Sequence, residues 1–197
     1  MPIIRLATPE DAPQIQAIYA PFCEHSPATF ETQAPTIEEM TQRITKLLQK
    51  YPWLVYEYGG DVLGYVYAAP HHERTAYQWS VNVSVYIHEK ARRQGIGYAL
   101  YTSLFELLKI QGFYNAYAGI TQPNQASMKL HESMNFQHAA TYKNVGYKCG
   151  AWHDVIWLGL TLQQPILNPQ PPISIQEFPG TKGFTKALET GLKFLKN

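Results

Sequence analysis

Val85-Tyr86-Ile87-His88-Glu89-Lys90-Ala91-Arg92-Arg93-Gln94-Gly95-Ile96-Gly97-Tyr98-Ala99 changes character twice within one short stretch. It opens as a β-branched and aromatic strand, turns into a charged loop, and passes through two glycines into a helix expected over 97–111, where Gly112 suits the C-terminal cap. A helix N-terminus presents unpaired N–H groups and a partial positive charge. Glycine lets the backbone approach an anion without a Cβ in the way. A strand, a loop with two arginines and two glycines, and a helix therefore predict a pyrophosphate cradle. No Gly-Lys-Ser/Thr follows, which excludes the Walker loop, and the third glycine of the dinucleotide fingerprint is missing.

Working outward, residues 114–120 read as a strand, 124–134 as a helix, and 136–147 and 152–160 as two closing strands. Upstream, 3–6 is a short strand, and Thr8, Pro9 and Asp11 open a helix whose buried stripe is Ile15, Ile18 and Tyr19. Thr36-Ile37-Glu38-Glu39 is a capping box for a second helix, carried by Ile37, Met40, Ile44, Leu47 and Leu48 and ended by Pro52. Two strands, 54–58 and 62–69, flank a Gly59-Gly60-Asp61 turn, and 79–88 is a third with Val81, Val83, Val85 and Ile87 on one side. This order predicts a mixed α/β domain over 1–164, with one central, mostly antiparallel sheet flanked by helices rather than a doubly wound Rossmann sheet. Beyond it, Pro165, Pro169, Pro171 and Pro172 predict an extended arm over 165–197, ending in a short amphipathic helix at 184–195 that packs on the body or a partner subunit.

Composition narrows the function. A net charge of +1 recruits neither nucleic acid nor an anionic membrane, and no apolar run approaches the roughly 18 residues of a membrane span. The segment Met1-Pro2-Ile3-Ile4-Arg5-Leu6 lacks the pattern of a secretory signal, which predicts a cytoplasmic protein. Cys23 and Cys149 are too few for a disulfide framework or a zinc site and read as small buried hydrophobes, so no metal is expected.

Arg92-Arg93-Gln94-Gly95-Ile96-Gly97 resembles the [RQ]-x-x-G-x-[GA] signature of the GNAT superfamily of acyl-CoA N-acyltransferases, and the resemblance runs over 3–162. Tyr67-Ala68-Ala69-Pro70, Arg74-Thr75-Ala76-Tyr77, Ser84-Val85-Tyr86-Ile87, Gln111-Gly112-Phe113 and Trp152-His153-Asp154-Val155 are similar to blocks of its phosphinothricin and methionine sulfoximine acetyltransferases. This implies a GNAT fold, a homodimer, acetyl-CoA as cosubstrate, and a small amino-acid-like amine as acceptor. It further implies that main-chain groups of Val85, Tyr86 and Ile87 meet the pantetheine arm. The backbone from Arg92 and Arg93 through Gln94, Gly95, Ile96 and Gly97 to Tyr98 would hold the pyrophosphate. Asn124 would reach the pantetheine, although a plain helix N-cap is the alternative.

Acetyl transfer to an amine needs a proton acceptor, a donor for the oxyanion and a proton for the leaving thiolate. The resemblance implies a backbone N–H near Tyr86 as oxyanion donor. It places Asn82 where the subfamily has glutamate, and an amide is no base, so Asn82 is expected to orient a water, with Glu24 and His153 as other bases. His131 stands at the family's proton-donor position. For the acceptor, Arg74 and Tyr77 match positions that meet an acidic group, while Phe30, Tyr67 and Tyr86 wall the pocket; His72 replaces a lysine of the phosphinothricin branch. Two other readings stay open: a module that holds acetyl-CoA with weak turnover, which Asn82 favours, and a transferase acting on a protein N-terminus.

Overall fold

The structure is a computed structural model that describes residues 1–196. Strand β1 (Ile3–Leu6) is followed by helices α1 (Ala12–His25) and α2 (Ile37–Leu47), strands β2 (Trp53–Tyr58), β3 (Asp61–Pro70) and β4 (Ser80–Ile87), helix α3 (Ile96–Gln111), strand β5 (Asn115–Thr121), helix α4 (Gln125–Ser133), strands β6 (Gln137–Lys148) and β7 (Ala151–Thr161), and helix α5 (Lys182–Leu192). The strands form one sheet in the order β1-β2-β3-β4-β5-β7-β6. Every neighbouring pair is antiparallel except β4 with β5.

Local chemistry explains most boundaries. Thr36 accepts from the Glu39 N–H while the Glu39 carboxylate accepts from the Thr36 N–H, closing the capping box of α2. Gly59 and Gly60 both take positive φ, at 65° and 92°, which lets β2 turn directly into β3. Gly112 ends α3 in the left-handed conformation. At the N-terminal start the expectation needs correction: Pro9–Asp11 forms a separate 3-10 turn before α1. Asp11 is held there by the Arg5 guanidinium through two contacts of 2.7 Å and by the Thr8 N–H.

Alternation along the strands divides the core in two. Val66, Ala68, Val81 and Val83 join the cluster packed on α3, whereas Trp53, Val55 and Tyr65 join the cluster under α1 and α2. Asn82, Ser84 and Tyr86, one residue out of phase with Val81 and Val83, therefore stand on the α1–α2 side. The proline-rich arm is laid onto the body: Ile173 N–H donates to Gln111 O and Ile175 N–H to Lys50 O, and Ile175 is buried. Helix α5 then lies against α3, where a Cβ at Gly191 would collide with the Ala99 carbonyl and Ser103 Oγ donates to Leu188 O at 2.9 Å. Cys23 is buried as expected, but Cys149 is exposed in the β6–β7 turn at φ 51°, because that turn projects from the sheet. Among the described residues no helix is long and apolar enough to cross a membrane.

Candidate active site

Strand β4 ends at Ile87, a 3-10 turn follows over Glu89–Ala91, and the chain then reverses through Arg93 at φ 65° and Gly95 at φ 82° into α3. Left-handed residues at these two positions turn the loop back on itself, and the cost for a residue with a Cβ at Arg93 is a sign of an imposed shape. The N–H groups of Ile96, Gly97 and Tyr98 occupy the first turn of α3, where a helix supplies no acceptor. None of them donates to another described residue. Arg92 lies over the Phe22 ring at 5.7 Å, and among the described residues neither Arg92 nor Arg93 is paired with a carboxylate. The loop therefore offers unpaired donors, two exposed guanidinium groups and the positive end of a helix dipole, a set that fits a pyrophosphate. Gly97 has another role: a Cβ there would meet Leu130 Cδ2 at 3.1 Å, so it lets α3 approach α4.

The parallel pairing of β4 with β5 is short. Ser80, Val81 and Asn82 pair with Asn115, Ala116 and Tyr117, and no pairing continues beyond them. Among the described residues, the β5-facing backbone of β4 from Val83 to Ile87 is unpaired, as is the β4-facing backbone of β5 from Ala118 to Thr121. Successive residues of a strand alternate their N–H and C=O groups between its two edges. The gap therefore presents donors and acceptors to any extended amide-bearing chain. It brings Val85, Tyr86 and Ile87 onto one wall and leads from the α3 loop to its closed end at Asn82.

On the α1–α2 side a pocket of about 290 Å³ is lined by Tyr19, Arg43, Trp53, Tyr65 and Tyr67. Trp53 stacks on Tyr67 at 4.5 Å, and Tyr65 stacks on Tyr86 at 5.3 Å. Tyr86 is hemmed in by Tyr19 and Phe22, and burial pushes its hydroxyl well above the ordinary tyrosine value, so it stays protonated at neutral pH. The buried Trp53 Nε1–H has no partner among the described residues, leaving one donor beside the pocket.

The family model for the acetyltransferase (GNAT) domain matches residues 4–157. The chain belongs to the GNAT acetyltransferase family. It is 38% identical over 170 residues to the phosphinothricin N-acetyltransferase of Streptomyces viridochromogenes, covering 86% of this chain and 90% of that one. To the L-methionine sulfoximine/L-methionine sulfone acetyltransferase of Salmonella typhimurium it is 30% identical over 162 residues, covering 82% of this chain and 95% of that one. Its fold matches the crystal structure of a GNAT superfamily phosphinothricin acetyltransferase from Sinorhizobium meliloti in complex with AcCoA, with a TM-score of 0.80, 30% identity, and coverage of 86% and 96%.

In this GNAT acetyltransferase the expected site residues divide. Arg74 and Tyr77 stand on an exposed turn, with the Tyr77 ring 5.8 Å from His71 and 4.9 Å from His72. Phe30 packs against Gly146, where a Cβ would collide with its ring. Asn124 caps α4, its Oδ1 accepting from the Ser127 N–H at 3.1 Å, which satisfies the plain N-cap reading. Asn82 has a partner that the sequence did not suggest: its Oδ1 accepts from His71 Nδ1 at 2.8 Å.

The role expected of His131 needs correction. It is buried, its Nδ1–H donates to Ser127 O at 2.8 Å, and its Nε2 accepts from the Tyr101 hydroxyl at 2.9 Å. Desolvation lowers its pKa and only the Ser127 carbonyl opposes this, so the ring is neutral and both nitrogens are occupied. On α4 it stands between Leu130 and Glu132, but its i−4 carbonyl and the core tyrosine capture it; a helical position alone does not show this. The other two candidate bases fare no better. His153 has the Gln122 and Lys148 carbonyl oxygens at 2.9 Å from its two nitrogens, so no lone pair faces an open space. Glu24 is exposed near the end of α1, 3.5 Å from His25. Sequence reasoning passed over His71; a histidine just after a strand carries no signal until its partner is seen.

Proposed function

We propose that this acetyltransferase moves the acetyl group of acetyl-CoA to the amino group of a small amino-acid-like molecule of the phosphinothricin, methionine sulfoximine or methionine sulfone type. The observation that carries this reading is the gap between β4 and β5, which joins the donors at Ile96, Gly97 and Tyr98 to a closed end at Asn82. Acetyl-CoA is the substrate such a gap suits: diphosphate on the loop, pantetheine amides along Val85, Tyr86 and Ile87, thioester at the closed end. A backbone N–H of β4 facing the gap supplies the oxyanion with a fixed donor. The aromatic pocket on the α1–α2 side, with Tyr67 in its wall, receives the acceptor, and Arg74 grips its acidic group.

The reading includes a cytoplasmic homodimer. Tyr142, Val145, Tyr147 and Trp152 are exposed together on the β6–β7 hairpin, an apolar surface suited to a second subunit.

Thiol release from acetyl-CoA, followed over phosphinothricin, methionine sulfoximine, methionine sulfone, the common L-amino acids and a peptide N-terminus, tests the reading. Release is expected with the sulfoximine, sulfone or phosphinothricin acceptors. Release with the peptide alone would replace the small-molecule reading by protein N-terminal acetylation.

A further inference from the structure

We infer that His71 is the proton acceptor of the transfer and that Asn82 is the residue that positions it, an inference that rests on the acetyltransferase reading above. An imidazole and a carboxamide at the closed end of the β4–β5 gap together replace a single carboxylate base.

Asn82 is the last β4 residue paired with β5, opposite Tyr117. His71 follows directly on Pro70, the last residue of β3, which pairs with Val81, and its N–H reaches Ser80 O at 3.4 Å. Both residues therefore lie where the gap closes. From Ile87, at the mouth beside the loop, to Asn82 is five strand residues, about 16–17 Å at 3.3 Å per residue. An arm anchored on the loop and laid along β4 ends beside this pair.

A carboxamide oxygen only accepts, so the 2.8 Å contact from His71 Nδ1 to Asn82 Oδ1 places the proton on Nδ1. In the neutral ring Nε2 then carries the lone pair, and it has no hydrogen-bond partner among the described residues. The ring is half-buried, neither sealed in the core nor free in solvent. It lies against Tyr117 at 4.5 Å, with Trp157 edge-on at 6.3 Å and Tyr77 at 5.8 Å, so its plane is fixed. An orienting group on one imidazole nitrogen and a lone pair on the other is the arrangement by which a histidine serves as a base.

The step balances with the groups named. The acceptor's ammonium gives one proton to Nε2, leaving a neutral amine and an imidazolium whose Nδ1–H stays on Asn82. The amine nitrogen bonds to the thioester carbon, the carbonyl electrons move to oxygen, and their return breaks the carbon–sulfur bond. CoA leaves as the thiolate and takes the second proton of the attacking nitrogen, directly or through solvent, and the imidazolium returns its proton to water. The products are the amide, CoA thiol and one proton. The missing carboxylate at position 82 thus becomes compatible with turnover rather than a sign of a binding-only module.

The groups facing the ring are Asn82 from β4, Tyr117 from β5, Trp157 from β7 and Tyr77 from the turn before β4; the titratable ones are the two tyrosines, and none of the four is a charged side chain. Two measurements test the inference. The first needs no turnover: imidazole nitrogen shifts of His71 by NMR at high pH should show Nδ1 protonated and Nε2 bare, and Asn82→Leu should erase that preference. The second is kinetic. His71→Gln should lower kcat by about 100-fold or more, the size of a lost general base, and remove the acid limb of the pH–rate profile. Acetyl-CoA affinity by calorimetry should not change. Asn82→Asp, which keeps the acceptor and adds a charge, should move that limb to higher pH. A wild-type ring protonated on Nε2, or a His71→Gln enzyme with kcat within threefold and the limb intact, overturns the inference. Absence of thiol release by the wild type with every acceptor overturns the transfer reading itself, and this inference with it.

Discussion

Lys196 donates its backbone N–H to the carbonyl oxygen of Gln94 at 3.0 Å, so the last described residue of the chain rests on the loop proposed to hold the pyrophosphate. The Phe194 ring stands 4.9 Å from that of Tyr98, in the first turn of α3, and fixes the contact from a second side. The segment after β7 is therefore part of the loop's support, although the family model ends at residue 157.

Gly95→Ala should expose this dependence. Gly95 sits at φ 82°, and a Cβ there would stand 2.5 Å from the Phe194 carbonyl oxygen. The left-handed conformation alone costs about 1–2 kcal/mol, and displacement of the tail adds to it. At about 2–4 °C per kcal/mol for a chain of this size, thermal unfolding should fall by roughly 3–8 °C. An unchanged midpoint would show that neither the left-handed turn at Gly95 nor the tail contact limits stability.

Gly97→Glu and Gly97→Ala should separate packing from anion binding. The alanine presses only on Leu130 Cδ2, the end of a flexible side chain, and should bind acetyl-CoA nearly as the wild type does. The glutamate places a carboxylate in the first turn of α3, where it competes for the same N–H groups and favours the helix while opposing a phosphate. Calorimetry should show at least a tenfold loss of affinity, about 1.4 kcal/mol. Equal affinity of the two variants would remove the loop from the cosubstrate site.

Arg74→Ala should raise the acceptor KM by roughly 10- to 100-fold, because losing one charge-assisted contact to an acidic group costs about 1.5–3 kcal/mol. The kcat should change much less, since in the proposed role the arginine would hold the acceptor outside the reacting bonds. The same KM for a free acid and its amide in the wild type would sink this role.

His131→Phe should act on stability rather than on chemistry. It strands the buried Tyr101 hydroxyl, whose partner Nε2 is lost, at a cost of about 1–3 kcal/mol. The pH sign follows from the lowered pKa of His131. The unfolded chain binds a proton that the folded one refuses, so wild-type stability rises with pH through the window below the ordinary value of 6.5 and is lost as pH falls through it. Denaturant unfolding at pH 5 and pH 8 should show this slope in the wild type and a flatter one in the variant. A kcat that falls with no loss of stability would restore His131 to the proton path.

Much of the architecture could be read without coordinates. The capping box at Thr36 and Glu39, the glycine turn at Gly59 and Gly60, and the passage from β4 through Gly95 into α3 are set by residues within a few positions of one another, and the structure keeps all three. The alternation of Val81 and Val83 against Asn82, Ser84 and Tyr86 likewise assigned the faces of β4, because a strand's side-chain period is two whatever packs on it. What the sequence could not decide were the contacts between residues far apart along the chain. Asn82 meets His71, which comes from the far end of β3, and this turns an apparently missing base into an oriented imidazole. His131 meets Tyr101 across thirty positions, and this turns an apparent proton donor into a buried strut. Lys196 meets Gln94 only because α5 lies along α3. A histidine's chemistry is set by which nitrogen is occupied and by how much water reaches it. Both are properties of its neighbours in space, which the tertiary structure alone supplies.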